Sequence, residues 1–160
     1  MTVYLLRHGH AGRRSQWTGD DHDRPLSKAG RRQAEALVAQ LGDAPIEYII
    51  SSPYVRCRQS VEPLAQHLRL PVDLSDVLAE GAPLTQVLRL VDKVSDREAV
   101  LCTHGDVVEA LLRHYARQHV PGIPTRNGKP PMDKGAYWAL AFVDGTVTSA
   151  SYCASPPAHA

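Results

Sequence analysis

The sequence predicts an α/β layered fold, and three observations predict it. Short apolar runs at residues 3–6, 46–50 and 99–103 have the length and composition of buried strands. Between them lie segments whose apolar residues recur at helical spacing. Two further apolar runs meet at Asp144-Gly145, a hairpin signature. Strand and helix patterns that alternate along a chain build a sheet covered by helices.

The elements follow in order. Val3-Tyr4-Leu5-Leu6 is the first strand, and a polar loop over residues 9–26, rich in Gly, Arg and Asp, comes after it. Ser27 is suited to cap a helix that presents Ala34, Leu37, Val38 and Leu41, with Gly42 ending it as a C-terminal glycine. Residues 46–50 form the next strand. Ser52-Pro53 reads as a cap followed by proline at the first helical position, opening a helix with Val61, Leu64, Ala65 and Leu68 on one face. Pro63 falls inside that helix, where a proline costs about 3 kcal/mol or more, so a kink or two shorter helices are expected.

Residues 71–74 suit a short extended segment. Pro83 starts a third helix, with Leu84, Val87, Leu88 and Val91 at core spacing. The strand over residues 99–103 feeds a fourth helix, with Val108, Leu111, Leu112 and Tyr115 inward. Residues 120–133 carry four prolines and two glycines and predict an irregular loop, of a length that is usually functional or mobile. Residues 136–143 and 147–152 are the arms of the hairpin.

With 160 residues, one domain over residues 1–153 is expected, followed by a disordered tail at 154–160. Hydrophobic residues make up 43 % and charged residues 22 %, an ordinary globular balance that can bury a core. Eighteen Lys and Arg against 17 Asp and Glu leave a net charge of +1, which predicts no broad nucleic-acid or membrane footprint. Any positive field must be local, and Arg7, Arg13, Arg14, Arg24, Arg56 and Arg58 do cluster near the motifs. No apolar stretch approaches the ~20 residues that span a bilayer, and no signal peptide precedes the first strand. Three widely spaced cysteines, Cys57, Cys102 and Cys153, argue against a disulfide framework and for a reduced, cytoplasmic setting.

The chemistry concentrates at strand ends. Arg7-His8-Gly9 follows the first strand and His104-Gly105 follows the strand over 99–103. Ligands of open parallel sheets bind outside the carboxyl ends of the strands. Arg56 lies in the first turn of the second helix, where free N–H groups and the helix dipole favour an anion. Two arginines and two imidazoles can surround a tetrahedral dianion, because guanidinium groups bind phosphate oxygens in a bidentate fork. Arg58 competes with Arg56 for this place and is expected on the surface. His8-x-His10, with Asp20, Asp21, His22 and Asp23 downstream, has metal-binding residue types. A metal needs converging ligands and supporting hydrogen bonds, so a solvated acidic loop is the simpler expectation.

Arg7-His8-Gly9, Ser52-Pro53-x-x-Arg56 and Thr103-His104-Gly105 together resemble the three signatures of the histidine phosphatase superfamily. The resemblance runs from residue 3 to about residue 112 in the family's order and spacing. It implies a phosphoglycerate mutase-like, three-layer α/β/α sandwich with a mostly parallel central sheet. Within the superfamily the compact length resembles the small SixA-like phosphohistidine phosphatases. The run from Gly19-Asp20-Asp21 through Ser27 to Gly30-Arg31 also resembles the phosphatase-like half fused to certain Nudix hydrolases, although no Nudix signature is present. A free-standing form is expected.

The resemblance implies that His8 is the nucleophile, forming a phosphohistidine, with its other ring nitrogen held by backbone. Arg7, Arg56 and His104 would bind the phosphoryl oxygens, with Gly9, Arg13 and Arg14 beside the substrate. Glu80 is the candidate general acid and Asp106 the alternative, although capping the fourth helix also accounts for Asp106. Phosphoryl transfer needs chiefly positioning and charge stabilisation, so no metal or cofactor is expected. Trp17 suits either a rim over the site or a loop anchor, and Lys134 a place at the pocket edge.

The expected activity is a metal-independent phosphatase acting first on a phosphohistidine protein. A small phosphorylated metabolite or nucleotide is the alternative, and needs Arg13, Arg14 or Trp17 at the site. A non-catalytic phospho-ligand binding module is a third.

Overall fold

The computed structural model describes residues 1–124 and 128–156. Six strands form one sheet: β1 (Thr2–Arg7), β2 (Tyr48–Ser51), β3 (Val72–Leu74), β4 (Ala99–Thr103), β5 (Tyr137–Val143) and β6 (Thr146–Cys153). Their order across the sheet is β3-β2-β4-β1-β5-β6. The pairs β3·β2, β2·β4 and β4·β1 are parallel, whereas β5 runs antiparallel to both β1 and β6. Four helices cover the sheet: α1 (Lys28–Leu41), α2 (Val55–Leu68), α3 (Leu84–Val94) and α4 (Gly105–Arg117).

Strand alternation sorts side chains onto two faces. Val3 and Leu5 of β1, with Ala99 and Leu101 of β4, join the α3 and α4 residues Val87, Val91, Leu111 and Leu112 in one core. Leu6, Val100 and Cys102 point the other way, onto Leu37 and Leu41 of α1 and Val61 and Leu64 of α2. The result is the expected three-layer sandwich. Because α1 leaves β1 toward one face and α4 leaves β4 toward the other, a crevice opens at the carboxyl ends of β1 and β4, where an open sheet binds its ligand.

Local signals account for most boundaries. Ser27 caps α1, its hydroxyl accepting from Gly30 N at 3.1 Å. Gly30 is there for proximity: a Cβ would lie 2.0 Å from the His10 carbonyl oxygen. In the hairpin turn Asp144 and Gly145 both take positive φ, 50° and 77°, as a two-residue turn of this hand requires.

Gly42 does end α1 as expected, with φ −64°, and close packing against Val38 and His67 explains the missing side chain. Several expectations are corrected. The second strand begins at Tyr48, two residues late, because the Ile46 amide is spent on a turn with Ala44. Pro63 neither ends nor divides α2, which runs unbroken for 14 residues. Pro63 is partly exposed, leaving the carbonyl four residues back within reach of water, while buried Cys57, Val61, Leu64 and Ala65 hold the helix on the sheet. Helix α2 also starts at Val55 rather than Pro53, and Ser52 turns toward the site instead of serving as its cap.

Of the irregular segment 120–133, residues 125–127 lie outside the described residues, as do 157–160 of the expected tail. Ahead of that point the chain lies along α1, where Gln40 Nε2 donates to the Ala154 carbonyl at 3.1 Å and Gln33 Nε2 to that of Pro156 at 3.0 Å. No helix among the described residues is long and apolar enough to cross a membrane.

Candidate active site

The parallel register fixes the floor of the site. Arg7 pairs with Thr103 and Ser51 with Cys102, so the residues that follow, His8, His104 and Ser52, emerge on one edge. Two backbone bonds prolong the pairing beyond the strands: His8 N to Thr103 O at 3.1 Å and Ser52 N to Cys102 O at 2.9 Å. Above them opens a cavity of about 1150 Å³, with Arg7, His8, Arg56, His104 and Glu80 in its wall. Arg13, Arg14, Asp106 and Lys134 line it too.

His8 is 7 % exposed, and its Nδ1 lies 2.8 Å from the carbonyl of Gly9. A carbonyl can only accept, so Nδ1 carries the proton and Nε2 keeps its lone pair. Burial pushes the His8 imidazole well below its usual value of 6.5; the Gly9 carbonyl opposes this, and neighbouring His104, Arg56 and Arg7 reinforce it. The ring therefore stays neutral at and below pH 6.5. The stability linked to this group is present above 6.5 and is lost as the pH falls beneath it. With allowance for ionisation of the substrate, kcat/KM for a phosphate monoester is expected to keep its level down through pH 6.5. An acid limb centred at or above that value contradicts the geometry.

His104 Nε2 sits 2.9 Å from Ser52 Oγ, which itself accepts from the Tyr54 amide at 3.3 Å. Ser52 Oγ can both accept from the Tyr54 amide and give its hydroxyl hydrogen to His104 Nε2; the neutral tautomer held that way carries its proton on Nδ1. Arg56, second residue of α2 and 1 % exposed, gives Nη1 to the Asp21 carbonyl at 2.8 Å and Nη2 to the Asp21 carboxylate at 3.0 Å. Arg7 donates Nη1 to the Met132 carbonyl at 2.9 Å, and its guanidinium lies where a Cβ on Gly105 would stand, 2.9 Å away. That close approach explains the second His-Gly pair.

Three donors in this wall have no protein acceptor. Arg7 Nε, Arg56 Nε and His104 Nδ1 are buried and unbonded; among the described residues only Ser155 Oγ shares that condition. An unmet buried donor costs about 1–3 kcal/mol, so three together are unfavourable unless an anion meets them. A phosphoryl group offers three oxygens.

Other expectations meet mixed outcomes. Arg58 is absent from the cavity wall, and Arg56 occupies the place. Gly9 does not line the cavity: its amide donates to Ser60 Oγ at 2.9 Å, its carbonyl holds His8, and a Cβ would lie 3.1 Å from Gln33 Oε1. It supports the His8 ring rather than facing the cavity. Both Glu80 oxygens receive Arg14 Nη2, at 2.9 and 3.0 Å, and Arg56 Nη2 is 3.8 Å away. Asp106 does not cap α4, whose cap position is His104; its carboxylate accepts from Gly81 N at 2.7 Å. Trp17 is a loop anchor, donating Nε1 to the Asp20 carbonyl at 2.8 Å.

The acidic loop is not simply solvated. Asp20 caps a 3-10 turn over Asp21–Asp23 by accepting from His22 N at 2.9 Å. Asp21 accepts from Arg24 Nε at 2.9 Å as well as from Arg56. Burial alone would raise the Asp21 carboxyl; Arg24 and Arg56 overcome it and hold the group below the ordinary carboxylate value. His10 Nδ1 lies 2.7 Å from Ser27 Oγ, away from His8 Nδ1 and its Gly9 carbonyl. Among the described residues no three His, Cys, Asp or Glu side chains converge as metal ligands would. Lys134, at the cavity edge, is pushed below its usual value by burial and then by Arg7, Arg24 and Arg56, a direct sign of the positive field there. Ser60 is a supporting residue the sequence did not single out, and Ser52 and Asp21, named for other reasons, gave no clear sign of their supporting roles. Only the Asp21–Arg24 spacing of three, a common side-chain pairing distance, hinted at one of them.

Comparison with known proteins decides the family. Residues 3–82 match the model of the histidine phosphatase superfamily, branch 1. The chain belongs to the histidine phosphatase superfamily. The 8-oxo-(d)GTP phosphatase of Mycolicibacterium smegmatis is 37 % identical over 161 residues, covering 98 % of this chain and 48 % of that protein. The chain therefore spans about half the length of that relative. Among solved structures, the protein histidine phosphatase SixA complexed with tungstate superimposes with a TM-score of 0.69 at 22 % identity, covering 97 % of this chain and 96 % of that one. A mycobacterial glucosyl-3-phosphoglycerate phosphatase gives 0.65 at 18 % identity, covering 95 % of each chain. At those identities the likeness is one of fold.

Proposed function

We propose that this histidine phosphatase hydrolyses small organophosphates of the nucleotide class through a phosphohistidine on His8, without a metal. The observation that carries the phosphatase reading is the set of three unmet buried donors, Arg7 Nε, Arg56 Nε and His104 Nδ1, sharing a wall with a neutral imidazole. His8 Nε2 attacks phosphorus, the bond to the leaving oxygen breaks, and the three donors follow the phosphoryl oxygens into the transition state. Water then attacks phosphorus from the opposite side, the P–N bond breaks, and inorganic phosphate and neutral His8 are left. Cationic donors in this number supply the positioning and charge on which phosphoryl transfer depends. Glu80 faces the leaving group; in the free enzyme Arg14 holds both of its oxygens, and once the substrate anion draws Arg14 away the carboxylate takes a proton from solvent, gives it to the leaving oxygen, and recovers one from the water that attacks phosphorus.

Two features favour a small molecule over a phosphohistidine protein. The cavity, about 1150 Å³, has the size of a site that encloses an organic ligand rather than a phosphoryl group alone. Arg13 and Arg14 line it, as a nucleotide substrate requires. The 37 % identical relative, named for a nucleotide substrate, supports the same choice.

A substrate panel with chelator present tests this: nucleoside mono-, di- and triphosphates, sugar phosphates, and a phosphohistidine-bearing protein. Nucleotides are expected to give the highest kcat/KM. Preference for the phosphohistidine protein would overturn the substrate assignment, and inactivity toward every member alongside tight phosphate binding would make the chain a binding module.

A further inference from the structure

We propose that Asp21 is a positioning residue for phosphoryl transfer: its carboxylate and carbonyl together set the Arg56 guanidinium so that Nε faces the phosphoryl group. This rests on the reading of the site as a phosphatase centre.

The Asp21 carbonyl takes Arg56 Nη1 at 2.8 Å and its Oδ2 takes Nη2 at 3.0 Å. Both terminal nitrogens are thereby tied on one side, and the rigid fork leaves Nε as the unmet edge. Oδ1 of the same carboxylate takes Arg24 Nε at 2.9 Å, and Arg14 Nη2 stands 3.3 Å from Oδ2. One carboxylate thus gathers three arginines that line the cavity. Two of them are almost wholly buried, Arg56 at 1 % and Arg24 at 8 % exposure, where an unpaired cation is strongly disfavoured.

The carrier of this carboxylate is itself built. Asp20 caps the 3-10 turn through the His22 amide, Trp17 Nε1 ties down the Asp20 carbonyl at 2.8 Å, and Arg24 Nη1 returns to the Ala11 carbonyl at 2.7 Å. The opposite side of Arg56 lies over the Tyr54 ring, 4.9 Å from its centre. The guanidinium is therefore held by a ring on one face and a carboxylate at its end, which leaves its charge, Nε and the second N–H of each terminal nitrogen for a ligand, with Glu80 Oε2 3.8 Å from Nη2.

An anion held beside the phosphate site has two opposed consequences. It lowers the positive potential that attracts a phosphate, and it fixes the donor that the transition state requires. Removing the charge while keeping the shape separates them. Asp21→Asn is expected to lower kcat for p-nitrophenyl phosphate about tenfold to a hundredfold through loss of donor placement. The dissociation constant of inorganic phosphate, read by calorimetry, is expected to stay the same or tighten. Asp21→Glu is expected to recover part of kcat, and Asp21→Ala to fall at least as far as Asp21→Asn.

A merely structural role would weaken turnover and phosphate binding together, in step with a lower Tm, and that result would overturn the assignment. So would an Asp21→Asn enzyme with unchanged kcat. Should the unaltered protein bind phosphate yet turn over none of the panel, the phosphatase reading itself fails and the assignment falls with it.

Discussion

His8→Ala is expected to abolish turnover, lowering kcat by about 10⁴-fold or more, the scale seen when a covalent nucleophile is removed. The reason is structural as well as chemical. The lone pair on Nε2 exists because the Gly9 carbonyl, 2.8 Å from Nδ1, claims the ring proton. Among the described residues no other imidazole can take over: His104 commits Nε2 to Ser52 at 2.9 Å, and His10 is absent from the cavity wall. The donor set is untouched by this substitution, so inorganic phosphate should still bind. His8→Asn, which retains a polar group of similar bulk, should be equally inactive and guards against a folding artefact. Stopped-time assays of p-nitrophenyl phosphate hydrolysis with phosphate binding alongside check both variants. Full activity in either would remove His8 from the chemistry.

Arg56→Ala is expected to lower kcat about 10²–10³-fold, corresponding to about 2.7–4 kcal/mol of transition-state stabilisation from one preorganised donor group. The loss should fall on kcat more than on folding. Asp21 keeps Arg24 at 2.9 Å and Arg14 at 3.3 Å, so its carboxylate is not left alone in the protein. Arg56→Lys should recover little, because an ammonium is a point charge and cannot bond Asp21 with two nitrogens while presenting a third. Arg58, two residues on and outside the cavity wall, supplies the control. Arg58→Ala is expected to leave kcat/KM unchanged; a larger loss there than at Arg56 would reverse the assignment of the two arginines.

The central strands β1 and β4 were legible because their buried runs are almost entirely apolar, as parallel strands covered on both faces are. The strand over residues 99–103 matched β4 residue for residue. Helix faces were equally plain: Val108, Leu111, Leu112 and Tyr115 of α4 are all buried. What escaped were effects decided by tertiary context. Pro63 carries a local cost that packing on the sheet absorbs. Ser52 looked like a helix cap, yet the neighbouring strand brings His104 to its hydroxyl.

The site showed the same division. Arg7, His8, Arg56 and His104 could be named because they follow buried strands or open a helix. Gly9 was misjudged since a glycine beside a nucleophile can face the ligand or support the nucleophile, and only the place of Gln33 decides. Asp21 stood in a run of polar residues where only its spacing of three from Arg24 pointed to its supporting role. Its partners, Arg14, Arg24 and Arg56, come from three different segments, and their convergence depends on the folded loop. The Arg14–Glu80 pair joins residues 66 apart and was hidden for the same reason.

The central claim is that a neutral, backbone-held imidazole becomes phosphorylated. Rapid mixing with an excess of a turned-over substrate, alkaline quenching to preserve P–N bonds, and peptide mass spectrometry test it directly. The account predicts a phosphoryl group on the peptide containing His8, located on that ring, decaying at the rate of turnover and missing from His8→Asn. Turnover with no phosphorylated residue, or with the label on His104, Ser52 or Cys57, would contradict it.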